Sequence, residues 1–62
     1  MKVKTLLKTL WGVRYCLMSE TGSQLERAYA SLVLGYDGTS NYEDWKVERI
    51  ETLDDELFIT IK

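Results

Sequence analysis

The sequence predicts an α+β domain: an N-terminal amphipathic helix packed on a small, mostly antiparallel four-stranded sheet, in the order helix, hairpin, loop, hairpin. Three stretches carry that reading. "VKTLLKTL" spaces its apolar residues for one helical face, "VRYCLM" is a β-branched and aromatic run, and "ELFITIK" alternates aliphatic with other residues to the end of the sequence.

In the first of these, Val3, Leu6, Leu7 and Leu10 fall at i, i+3, i+4 and i+7, with Lys4, Thr5, Lys8 and Thr9 opposite. The spacing predicts a helix over Lys2 to Trp11. Gly12 then provides a stop, since glycine accepts the left-handed conformation that ends many helices. Next, Val13, Tyr15 and Leu17 alternate with Arg14, Cys16 and Met18, as a strand requires. "SETG" follows with turn chemistry, its hydroxyls able to bond nearby backbone and Gly22 able to take positive φ.

The segment "SQLERAYASLVLGY" supports two readings. As a helix, Ser23 and Glu26 would form a capping box, Leu25, Ala28, Tyr29, Leu32, Val33 and Tyr36 would share a face, and Gly35 would end it. As a hairpin partner, Gln24 to Ala30 would return along the first strand, leaving Ser31 to Leu34 as a short turn of helix. Local pattern favours the second helix, at 24–34, which would replace one strand. "DGTSN" has the composition of an exposed, mobile loop. "WKVERIET" and "ELFITIK", separated by Leu53, Asp54 and Asp55, form a terminal hairpin in which Leu57, Ile59 and Ile61 alternate with Phe58, Thr60 and Lys62.

With 62 residues, the sequence makes one domain (1–62), in the size range where a core supplies only about 3–5 kcal/mol unless something staples it. Cys16 is the single cysteine and histidine is absent, so neither an intramolecular disulfide nor a structural zinc site can be assembled. No cofactor is expected, and oligomerisation is the remaining staple. An apolar fraction of 45% against 29% charged residues places the chain among globular rather than disordered sequences. Neither export nor membrane spanning is signalled, and a lone thiol suits a reduced cytoplasmic setting.

Net charge is −2, but unevenly distributed: four basic and no acidic residues up to Met18, then ten acidic against four basic. Most of the chain would repel a polyanion, and its acidic part suits a basic partner surface.

Together "VKTLLKTL", "VRYCLMSETGSQLERAYAS" and "KVERIETLDDELFITIK" resemble a group of very short, uncharacterised proteins of gram-positive bacteria and their phages and mobile elements. The resemblance implies the hairpin reading of Gln24 to Ala30. It also implies a small protein that acts by binding something larger, and it brings no activity and no functional residue.

Chemistry on this chain is sparse. Cys16 has no histidine to serve as its base, and although Arg14 two residues away could lower its pKa, a packed structural cysteine is the favoured reading. Glu43 with Asp44, and Glu51 with Asp54, Asp55 and Glu56, read as solvated turn acids rather than an acid/base pair. "DGTSNYEDWKVE" places Asp37, Thr39, Asn41, Glu43 and Glu48 at calcium-loop positions, but Tyr42 stands where the loop needs glycine. No enzymatic role is therefore expected.

Aromatics beside carboxylates point instead to a protein interface formed by Tyr36, Asp37, Tyr42, Glu43, Asp44 and Trp45. The competing structural reading has Tyr42 and Trp45 pinning the loop to the core, with Asn41 capping a short turn. A second surface follows from geometry. One helix covers one face of the sheet, so Arg14, Cys16, Met18, Phe58 and Thr60 would lie on a bare face that a twin subunit or another protein covers. The expectation is a protein-binding module, homodimeric, docking an acidic and aromatic surface on a larger protein such as a defence nuclease. A nucleic-acid accessory role through Lys4, Lys8 and Trp11 is the alternative, and no membrane partner is expected.

Overall fold

The computed structural model describes residues 1–62. Helix α1 (Val3–Leu7) precedes β1 (Val13–Met18), β2 (Gln24–Ala30), β3 (Val47–Leu53) and β4 (Glu56–Ile61). The four strands form one sheet in the order β2-β1-β4-β3. Both hairpins, β1–β2 and β3–β4, are antiparallel, whereas the central β1–β4 pair is parallel, with Tyr15 beside Leu57 and Leu17 beside Ile59. The sheet is therefore mixed: two hairpins joined along a parallel seam.

The helix is five residues long, about half the length expected. It ends early because the chain tightens: the N–H groups of Thr9 and Leu10 bond the carbonyls of Leu6 and Leu7, three residues back, and the Thr9 hydroxyl donates to the same Leu6 carbonyl at 2.7 Å. Leu10 and Trp11 thus belong to a connection, and Trp11 is exposed. No side chain caps the helix start. Instead the N–H of Val3 donates to Trp45 O (2.7 Å) and that of Lys4 to Glu43 O (2.8 Å), so a distant loop satisfies the helix's orphan donors.

The local preference of residues 24–34 for helix is overridden. Gln24–Ala30 is a strand, with Ala28 opposite Tyr15 and Ala30 opposite Val13. As a helix this segment would leave one side of β1 with a row of unpaired backbone donors and acceptors, a cost that outweighs the few tenths of a kcal/mol per residue at stake in propensity. The SETG turn forms as expected. Ser19 N–H donates to Ser23 O (2.8 Å), Ser19 Oγ accepts from Ser23 N–H, and Gly22 holds φ 89°. The second hairpin turns on Asp54 and Asp55 alone, both at positive φ (53° and 63°), the two-residue form that matches strand twist.

Val3, Leu7, Tyr15, Leu17, Ala30, Ile59 and Ile61 form the core. Five residues of helix are too few to roof the inner face of the sheet. The long connection between β2 and β3 supplies the rest of the cover, with Tyr36 and Tyr42 packed against the same core.

Candidate functional site

Three surfaces bear on function: the loop from Tyr36 to Trp45, the outer face of the sheet, and the turn Ser31–Gly35.

The acidic and aromatic loop is tied inward at Tyr36, Ser40, Tyr42 and Glu43 and exposed elsewhere. Tyr36 donates its hydroxyl proton to Glu43 Oε2 (2.8 Å) and accepts from Ser40 N–H (3.0 Å). Ser40, only 6% exposed, donates from Oγ to Glu26 Oε2 (3.2 Å) and accepts from Tyr42 N–H (3.1 Å). Burial, reinforced by the bond to Glu43, pushes the Tyr36 hydroxyl up to about 12. Tyr42 meets Trp45 edge to face at a centroid distance of 5.1 Å. Asp44 lies 3.3 Å from Lys4 and 3.7 Å from Lys2, and Asp37 accepts from both the hydroxyl and the N–H of Thr39, bonds that hold its carboxyl below the usual range.

Of the six interface residues expected here, Tyr36, Tyr42 and Glu43 are thus partly buried and serve the fold, while Asp37, Asp44 and Trp45 remain at the surface. The cap is Ser40 rather than Asn41, which is exposed. The loop anticipated from "DGTSN" is exposed at Asp37, Gly38, Thr39 and Asn41, with Ser40 alone buried and bonded inward. Nor do its carboxylates form a calcium loop, because no three acidic side chains converge on one point.

On the outer face, strand register aligns Arg14 with Glu56, Cys16 with Phe58 and Met18 with Thr60, as the alternation predicts. The residues of this face are covered unequally. Cys16 is fully buried, its thiol 3.4 Å from Met18 Sδ, while Met18, Phe58 and Thr60 are half-covered and Arg14 alone is exposed. Arg27, directly opposite Cys16 on β2, reaches across β1 to Glu56, with Nε 3.0 Å from Oε2 and an Nη hydrogen bond of 3.4 Å to Oε1. Arg27, not Arg14, is the cation beside the thiol. Desolvation nevertheless raises the Cys16 pKa, so the group is a thiol at neutral pH and inert. A hollow of about 240 Å³ beside Met18, Leu53 and Phe58 is rimmed by Arg49, Glu51 and Thr60. It is smaller than an ordinary ligand pocket.

Of the nucleic-acid alternative, Lys4 and Lys8 lie one helical turn apart, the Lys8 N–H bonding the Lys4 carbonyl (3.1 Å). Lys4 is paired with Asp44, and Trp11 lies against Gly35. Lys8 remains exposed.

The turn Ser31–Gly35 is the feature that residue pattern did not expose. Leu32, Val33 and Leu34 are 74%, 78% and 74% exposed, although a helical reading would bury two of them. Their backbone is closed by hydrogen bonds. Ser31 and Gly35 exchange two backbone bonds (3.1 and 3.0 Å), and Ser31 Oγ accepts from the N–H groups of Val33 (3.0 Å) and Leu34 (3.2 Å). Gly12 N–H donates to Ala30 O (2.6 Å) at the base. Gly12 and Gly35 both sit at positive φ (69° and 67°), which favours glycine, and both are closely approached, Gly12 by the end of the Leu32 side chain and Gly35 by the Trp11 ring. Tyr29, exposed, adjoins the same spot. The signal in the sequence was the frame of this run, a serine and a glycine four apart around three aliphatics.

No helix is long and apolar enough to cross a membrane. No protein-family model, curated protein or solved structure matches the chain.

Proposed function

We propose that this protein is a small, non-enzymatic protein-binding module whose contact element is the turn Leu32–Leu34, flanked by Trp11 and Tyr29. The observation that carries this reading is three consecutive aliphatic side chains projecting from a turn closed by four hydrogen bonds. Exposed aliphatics cost solubility, and these remain about three-quarters exposed even though Leu32 rests on Gly12. A convex apolar tip whose backbone is closed by hydrogen bonds loses little entropy on insertion into a concave apolar pocket, so the fit is to a larger protein with such a pocket. The acidic loop, expected to dock, contributes less than anticipated because Glu43 and Asp44 already have partners within the chain.

A photo-crosslinking residue at Val33, used in cells that express the protein, tests the reading. One stoichiometric protein adduct is expected, lost in the triple variant Leu32→Ser, Val33→Ser, Leu34→Ser and retained when Lys4 and Lys8 are both changed to Glu. Recovery of nucleic acid in a nuclease-sensitive form, or of lipid alone, would replace this reading.

A further inference from the structure

The outer edge of β3 is open beyond its first residue. Met1 and Lys2 pair with its beginning, Val47 N–H donating to Met1 O (2.9 Å) and Lys2 bridging Lys46, and nothing covers the edge from Glu48 to Leu53. In a two-residue turn at Asp54–Asp55, Leu53 and Glu56 close the ladder as a hydrogen-bonded pair. Antiparallel alternation then directs the N–H and C=O of Ile50 and Thr52 away from β4. No proline interrupts this stretch; what protection it has is the charge of Glu48, Arg49 and Glu51 and the ladder irregularity between Val47 and Arg49, and the outward groups of Ile50 and Thr52 lie beyond that irregularity. Ile50 is 43% exposed.

We infer that β3 pairs edge to edge, antiparallel, with β3 of a second copy of this chain about a two-fold axis at Ile50, extending the sheet from four strands to eight. Charge selects both the occupant and the register. With the axis at Ile50, Arg49 stands opposite the partner's Glu51, and Glu51 opposite the partner's Arg49, on the outer face. Ile50 meets its own counterpart on the inner face, and Glu48 faces Thr52. Moving the axis to Arg49 opposes two arginines, and moving it to Glu51 opposes two glutamates. Opposite charges directly across a ladder stabilise it and like charges destabilise it, so one of these three registers is favoured.

Arg49 and Glu51 already lie 2.8 Å apart along the strand, with side chains 69% and 61% exposed. The guanidinium has donors to spare for a second carboxylate, and the dimer closes a ring of four alternating charges. The opposite edge of the sheet is β2, so this association leaves the Leu32–Leu34 turn free and stands independently of the function proposed for it.

Sedimentation equilibrium of the purified full chain, with circular dichroism to confirm folding, tests the inference. The unaltered protein is expected to dimerise. Arg49→Glu alone and Glu51→Arg alone should each remain folded, with dimerisation weakened about 100-fold by two opposed like-charge pairs. Mixing these two variants restores complementarity at both positions and should yield a heterodimer, as should the double variant R49E/E51R with itself. A monomer throughout the micromolar range, a dimer indifferent to R49E, or a mixture that stays monomeric would each overturn the pairing.

Discussion

The two halves of the connection between β2 and β3 behave oppositely. Residues 31–35 are largely aliphatic, yet they point their side chains into solvent. Residues 36–45 are polar and acidic, yet Tyr36, Ser40, Tyr42 and Glu43 turn into the protein and complete its roof. Composition alone suggests the reverse. The difference teaches that exposure here follows hydrogen-bond closure: Ser31 closes a ring too small to have an inside, while Tyr36 and Ser40 build a network large enough to enclose polar groups and satisfy them.

The largest expected effect comes from breaking the inward half. Tyr36→Ala removes a ring packed on the core and two hydrogen bonds, a loss of about 3 kcal/mol that approaches the whole stability of a domain this size, so thermal denaturation should show no cooperative transition near room temperature. Tyr36→Phe keeps the ring and should cost about 1–2 kcal/mol in chemical denaturation.

That variant also carries a pH signature. Because the folded-state pKa of Tyr36, about 12, lies above the ordinary tyrosine value of 10.0, its contribution is complete below pH 10 and is lost as pH rises toward 12. Denaturation midpoints should fall across that window in the unaltered protein and fall less in Tyr36→Phe. Ultraviolet titration of the tyrosines should show the late ionisation directly.

Ser40→Ala removes the acceptor of the half-buried Tyr42 N–H and the donor to Glu26, and should cost about 1 kcal/mol by the same measurement. Smallest of all, Leu32→Ser, Val33→Ser and Leu34→Ser should each shift stability by less than about 0.5 kcal/mol, because these side chains touch so little of the protein. Equal losses on the two sides of Gly35 would erase the contrast.

Much of the fold was legible in the residues. Val3 and Leu7, Tyr15 and Leu17, and Ile59 and Ile61 all reach the core from the positions their periodicities assigned, because a repeat of 3.6 or 2 fixes which side chains share a face. What lay beyond reach was any feature created by distant backbone partners. The helix stops at Leu7 through the Thr9 hydroxyl and begins on carbonyls of Glu43 and Trp45. The strand Gln24–Ala30 was by contrast part of the expected order helix, hairpin, loop, hairpin, against its own local pattern, while the parallel seam depends on how two hairpins meet.

The candidate surfaces divide the same way. Alternation placed Cys16, Met18 and Phe58 on one face correctly but could not reveal Arg27 reaching over from β2 to Glu56 beside the buried Cys16. Leu32 to Leu34 escaped because an apolar triplet inside a helical pattern reads as core until a closed turn proves otherwise.

The parallel seam has a consequence for how the molecule assembles. Each hairpin closes over a short turn and can form early, within microseconds, whereas the ladder from Arg14–Met18 to Glu56–Thr60 joins segments some forty residues apart and must wait for both. Docking of one preformed hairpin on the other is then the slow event, and the roof contributed by Tyr36 and Tyr42 can settle only afterwards. Amide protons along β1 and β4 should consequently exchange last, and the two edge strands should unzip from the centre's protection well before it fails.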